Sequence, residues 1–124
     1  MKRIAVLTSG GDVAGINAAI RSVVRLAESQ GCEVLGIRRG YAGLIDGDAQ
    51  RLRPRDVGEI MQRGGTVLGT SRSLEFRTAA GQEVALRQLA SMTVEGLVVI
   101  GGNGTQAGAQ ALAQGGVAVV GVAS

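Results

Sequence analysis

Gly96-Leu97-Val98-Val99-Ile100-Gly101-Gly102-Asn103-Gly104-Thr105-Gln106-Ala107-Gly108 joins a short apolar run to a cluster of glycines. Leu97 to Ile100 is a short apolar run rich in β-branched residues, as in a strand buried on both faces of a parallel sheet. Gly101, Gly102 and Gly104 follow, and Thr105 to Gln114 has the alanine-rich composition of a helix. A strand that feeds a helix through glycines presents free N–H donors at the positive end of a helix dipole, where an anion is favoured. The glycines also remove the Cβ atoms that would hold a phosphate away. A plain βα turn would read the same way, but a second glycine loop near the other end of the chain favours the anion site.

That loop is Thr8-Ser9-Gly10-Gly11-Asp12-Val13-Ala14-Gly15, between an apolar strand at Ile4 to Leu7 and a helix at Asn17 to Gln30. In the helix Ile16, Ala19, Ile20, Val23, Val24 and Leu26 recur at helical spacing. Arg21 and Arg25 share a face beside that stripe, and Gly31 suits a C-cap. Cys32 to Ile37 reads as the second strand, residues 40 to 44 as a turn or single helical turn, and 45 to 53 as a loose β excursion. Pro54 suits the first turn of a short helix to about Gln62. Gly64-Gly65, a short strand at Thr66 to Leu68 and the small-residue loop Gly69 to Ser73, holding Arg72, come next. A helix from Gln82, ending between Leu89 and Met92, leads into the Leu97 strand, and Val117 to Val122 is the last strand. The alternation predicts a parallel sheet covered on both faces. Ligands of such sheets lie beyond the carboxyl ends of the strands, which puts Ser9 to Gly11, Arg72 and Gly101 to Thr105 on one rim.

Composition agrees with this reading. The 124 residues hold 45% apolar but only 2% aromatic side chains, so the core is aliphatic and glycine-rich. The single cysteine, Cys32, gives no disulfide framework and reads as a small buried hydrophobe. Neither a signal sequence nor a run of transmembrane length is present, and a cytoplasmic setting is expected. The net charge of +3 comes almost entirely from arginine, whose planar fork matches phosphate oxygens. The arginines form no single run, and only Tyr41 and Phe76 could stack a base, so a small phosphorylated ligand fits better than nucleic acid. A nicotinamide dinucleotide fits poorly. The first loop is not Gly-x-Gly-x-x-Gly, and no acidic residue ends the second strand.

Thr8-Ser9-Gly10-Gly11-Asp12, Gly15, Asn17-Ala18-Ala19-Ile20-Arg21, Gly40-Tyr41, Arg63-Gly64-Gly65-Thr66, Arg72, Glu75-Phe76-Arg77 and Val98 to Gly102 with Gly104 resemble the N-terminal part of 6-phosphofructokinase along the entire chain. The resemblance implies a Rossmann-like three-layer α/β/α sandwich with a mostly parallel sheet. Residues 1–124 would form its ATP-binding domain, without the sugar-phosphate domain. It also implies transfer of the ATP γ-phosphate to fructose 6-phosphate, with Mg²⁺, in a homo-oligomer that uses neither nucleic acid nor membrane. Carried over by position, Gly11 closes on the transferring phosphate and Arg72 supports its charge. Tyr41, Ser73 and Arg77 lie beside the nucleotide, and Gly102, Asn103, Gly104, Thr105 and Gly108 form the nucleotide loop.

Several positions depart from the family pattern. Asn103 stands where an Asp usually helps hold the metal, and an amide weakens such a site. Val13-Ala14-Gly15 replaces the common Ala-Pro-Gly. Pro54 replaces an effector-binding arginine, while Arg21, Arg25 and Glu59 fall where the rest of that effector site lies. Gly104 favours ATP over pyrophosphate, because pyrophosphate-dependent relatives carry an Asp there; Ser124 matches neither group. The family's catalytic-base segment would follow Ser124. These residues alone are therefore expected to bind nucleotide without turnover. The alternatives are a non-catalytic, nucleotide-binding or self-associating half-domain and a pyrophosphate-dependent enzyme.

Overall fold

The computed structural model describes residues 2–9, 13–60, 68 and 73–123. In chain order the elements are β1 (Lys2–Ser9), α1 (Val13–Ser29), β2 (Cys32–Ile37), α2 (Gly40–Asp46), β3 (Ala49–Leu52) and α3 (Pro54–Ile60). A 3₁₀ turn (Glu75–Arg77), α4 (Ala79–Ser91), β4 (Gly96–Gly101), α5 (Asn103–Gln114) and β5 (Ala118–Ala123) follow. The strands lie in the order β3-β2-β1-β4-β5. β1 pairs in parallel with both β2 and β4, and β4 with β5, whereas β3 runs antiparallel to β2.

Period-two alternation sorts the strand side chains into two cores. Ala5 and Leu7 of β1, with Leu97 and Val99 of β4, face Tyr41, Leu44 and Ile45 of α2, Phe76 of the 3₁₀ turn, Ala85 and Leu89 of α4, and Ala109 and Leu112 of α5. Val6, Val34, Leu52 and Ile100 point the other way, onto Ile16, Ile20, Val24 and Ala27 of α1 and Val57 of α3. Burying each of the valine, leucine, isoleucine and phenylalanine side chains contributes about 1.5–3 kcal/mol of transfer free energy, so the three-layer arrangement follows from strands that are apolar on both faces.

Several elements differ from the sequence-based expectation. The sheet is parallel except at β3, because the short segment after α2 returns directly alongside β2 instead of crossing over. Residues 40 to 44, expected as a turn or single helical turn, are helical and belong to a seven-residue helix, Gly40–Asp46. Its packing depends on Gly43, where a Cβ would begin 1.4 Å from the Arg38 carbonyl oxygen. The β excursion shrinks to Ala49–Leu52. α1 begins at Val13 and α5 at Asn103, earlier than periodicity indicated. α4 also begins early, at Ala79, because Thr78 caps it: its Oγ1 accepts from the Gly81 N–H at 3.0 Å. Of the expected strand at 66 to 68 only Leu68 is described. It is buried, and its carbonyl accepts from the Arg39 N–H at 2.8 Å.

At the amino end of the sheet, Arg3 and Glu33 are register partners on β1 and β2 and are joined at 2.8 Å; Arg51 on β3 adds a 3.3 Å contact. The Arg3 guanidinium holds the Glu33 carboxyl below the usual carboxylate range. Next to this group, a cavity of about 120 Å³ lies between the end of α1 and the start of α3, with Cys32 and Arg53 on its wall. It sits at the end of the sheet away from the glycine rim.

Candidate functional site

The carboxyl ends of β1 and β4 meet side by side, with Ser9 and Gly101 in register. A Cβ on Gly101 would lie 2.4 Å from the Ser9 carbonyl oxygen, so the close approach requires glycine. Thr105, one turn into α5 and only 8% exposed, fills the space, and its hydroxyl donates to that same Ser9 oxygen at 3.2 Å. Gly102 serves as N-cap with no side-chain capping bond, and no acidic residue occupies the first turn. Gly102, Asn103 and Gly104 are exposed, and a Cβ on either glycine would meet nothing within 4 Å. Among the described residues, no side chain caps the first N–H groups of this twelve-residue helix, which lie at the positive end of its dipole.

The remaining expected site residues fall into three groups. Gly11 and Arg72 lie outside the described residues. Tyr41, expected beside the nucleotide, stands under the loop: it is 8% exposed, and its hydroxyl donates to the Thr105 carbonyl at 2.6 Å. Burial pushes its phenol well above the ordinary value. Gly108 is half-buried, its missing Cβ leaving room for the Tyr41 ring. Ser73 is half-buried and its Oγ accepts from the Phe76 N–H at 3.1 Å, while Arg77 is exposed at the end of the 3₁₀ turn. Phe76, to which sequence reasoning gave no supporting role, stacks on Tyr41 with ring centroids 4.0 Å apart and planes 6° from parallel. The available signal was that these are the only two aromatic residues in the chain.

On the second sheet face, α1 packs against α3, which brings the helices carrying Arg21, Arg25 and Glu59 together. Arg21 is half-buried with its Nε lacking a hydrogen-bond partner, and Arg25 is exposed. Glu59 lies in α3, with its side chain outside the described portion. Asn103 is an exposed neutral amide, and among the described residues no group of three His, Cys, Asp or Glu could hold a metal. The described side chains therefore do not form a Mg²⁺ site by themselves.

The profile of the phosphofructokinase family matches residues 3–124. This chain belongs to the phosphofructokinase family. It is 57% identical over 122 residues to the ATP-dependent 6-phosphofructokinase of Halalkalibacterium halodurans, a match covering 98% of this chain and 38% of that protein. Against the ATP-dependent 6-phosphofructokinase of Thermotoga neapolitana the identity is 57% over 112 residues, covering 90% of this chain and 35% of the relative. Among solved structures, phosphofructokinase from Pichia pastoris superposes with a TM-score of 0.91 at 34% identity, covering 98% of this chain and 15% of the other. The chain thus spans 35–38% of the length of these curated relatives. At that TM-score the backbone arrangement described above is shared with this phosphofructokinase neighbour.

Proposed function

We propose that these residues form the nucleotide-binding part of an ATP-dependent 6-phosphofructokinase, whose reaction moves the ATP γ-phosphate to the 1-hydroxyl of fructose 6-phosphate. The observation that carries this reading is the N-terminus of α5, to which no described side chain forms a cap, with exposed Gly102 and Gly104, in a chain 57% identical to an enzyme of that name. Phosphoryl transfer requires little covalent assistance and much placement of donors and positive charge around the phosphates. The backbone N–H groups at the start of α5 supply donors, and Thr105 holds them in place through its bond to Ser9. Gly11 and Arg72 are proposed to complete the cradle. Ser73 and Arg77 are proposed to border the nucleotide. Mg²⁺ is expected to enter as the counter-ion of the phosphates, with Asn103 as at most a neutral neighbour.

ATP is proposed as the donor rather than pyrophosphate because Gly104 leaves the space beside the helix end free. The experiment is thermal unfolding of the chain with MgATP or magnesium pyrophosphate. A ligand that binds only the folded state raises the midpoint in proportion to its occupancy. MgATP should raise it more, and a larger rise with pyrophosphate would reverse the donor assignment.

One observation favours a second reading, a half-domain that associates with itself. β5 pairs with β4 on one side, carries no charged residue, and exposes Val120 to 61%. Such an edge favours pairing with another chain, and homo-oligomer formation is proposed on that ground. No described helix is long and apolar enough to cross a membrane. A cytoplasmic setting is proposed from the family.

A further inference from the structure

Two aromatic rings join the start of α5 to the turn before α4. Thr105 is fixed at both ends, its hydroxyl donating to Ser9 of β1 and its carbonyl accepting from the Tyr41 hydroxyl of α2. The Tyr41 ring lies in contact range of α5 at Gly108 and stacks on Phe76. Phe76 is 5% exposed and is itself fixed: its N–H donates to Ser73 Oγ, and its carbonyl accepts from Gln82 Nε2 at 3.2 Å. An unbroken chain of buried contacts therefore runs from the N-terminal end of α5, through Thr105, Tyr41 and Phe76, to the turn that carries Ser73 and Arg77.

We propose that Tyr41 and Phe76 are positioning residues of the nucleotide site, a two-ring strut that sets the first turn of α5 against the Ser73–Arg77 turn. The inference rests on the nucleotide reading above and adds a mechanism to it. A helix end that binds phosphate by its N–H groups needs those groups held in one orientation before the ligand arrives. Here the carbonyl of Thr105 serves as the handle, because the buried Tyr41 hydroxyl donates to it. The same strut gives the second turn a fixed distance from the phosphate end. Phosphate bound at Gly102 to Thr105 then changes the surroundings of Ser73 and Arg77 without touching them. Core packing alone would fill the same volume, but it would not transmit binding.

The chain has one tyrosine, one phenylalanine and no tryptophan, so isotope labelling of each ring gives a single NMR reporter that needs no assignment. In the 124-residue chain both ring signals should shift on titration with MgATP, saturating together with the calorimetric heat. Saturating magnesium tripolyphosphate, which lacks an adenine ring, should shift them too. Phe76→Leu removes the stack and should weaken MgATP binding roughly 2- to 10-fold, with Phe76→Tyr restoring it. Tyr41→Phe keeps the ring and removes only the hydroxyl bond, so it tests the same link if Phe76→Leu fails to fold. It should also weaken binding.

Normal MgATP binding by these variants with unmoved ring signals in the unsubstituted chain would reduce the rings to core filling and overturn the strut. Ring signals that respond only to the adenine-bearing ligand would make the rings walls of the site and would also overturn it. A folded chain that shows no heat with MgATP would overturn the nucleotide reading itself, and the strut with it.

Discussion

Gly108 and Tyr41 are packed so closely that a methyl group cannot stand between them: a Cβ on Gly108 would lie 2.7 Å from the ring and 2.8 Å from the hydroxyl oxygen. The ring cannot retreat, because Phe76 stacks on it and Thr105 holds its hydroxyl. Gly108→Ala should therefore cost about 1–3 kcal/mol by overpacking, although alanine is the better helix former. Denaturant unfolding checks this. An unchanged or raised midpoint would mean that α5 shifts freely over Tyr41.

Gly104 should behave in the opposite way. Nothing stands within 4 Å of its missing Cβ, and it lies in the first turn of α5. Gly104→Ala should leave stability unchanged or raise it by up to about 1 kcal/mol, while weakening MgATP binding by narrowing the approach to the helix end. Paired thermal melts and titrations separate the two effects. A variant that binds as tightly as the original would move the ligand away from Gly104.

The Tyr41 phenol gives a pH prediction with a definite sign. Burial raises its folded value above that of an exposed tyrosine, about 10. A raised value means that the folded chain keeps its proton where the unfolded chain has lost it. The resulting stability is complete below pH ~10 and falls as pH rises beyond it. Phenolate absorbance, which reports this residue alone among aromatics able to ionise, should appear together with unfolding rather than before it. Ionisation at ordinary alkaline pH in a folded chain would show the hydroxyl open to solvent.

β5 predicts association. Its sequence Ala118-Val119-Val120-Gly121-Val122-Ala123 has no charge or proline to discourage pairing at the sheet edge, and Val120 is exposed. Sedimentation velocity at micromolar concentrations should show a coefficient that rises with concentration, and Val120→Lys should suppress the rise. A compact monomer over the whole range would show that the edge is protected.

Much of this architecture was legible from patterning, and the exceptions have local causes. Leu97 to Ile100 and Ile4 to Leu7 have the uninterrupted apolar character of strands covered on both faces, so β1, β4 and the glycine loops after them could be read directly. α2 was harder to read because Gly40 and Gly43 resemble turn residues. Gly43 is there for a different reason, the carbonyl of Arg38 pressed against it. The reversal of β3 is a tertiary choice that four residues cannot encode. At the site, the residues of the helix end were legible as a glycine motif. The buried side of the same site was not, since the contact between Tyr41 and Phe76 joins positions far apart in the chain and leaves no periodic trace.

Calorimetric titration of MgATP into the chain reports whether the N-terminus of α5 binds a nucleotide's phosphates. A saturable heat with one site per chain is expected. Gly104→Asp, which places a carboxylate at the helix end, should abolish that heat while leaving the fold intact by circular dichroism. A folded chain that gives no heat with MgATP, or one whose heat survives Gly104→Asp unchanged, would contradict binding at that helix end.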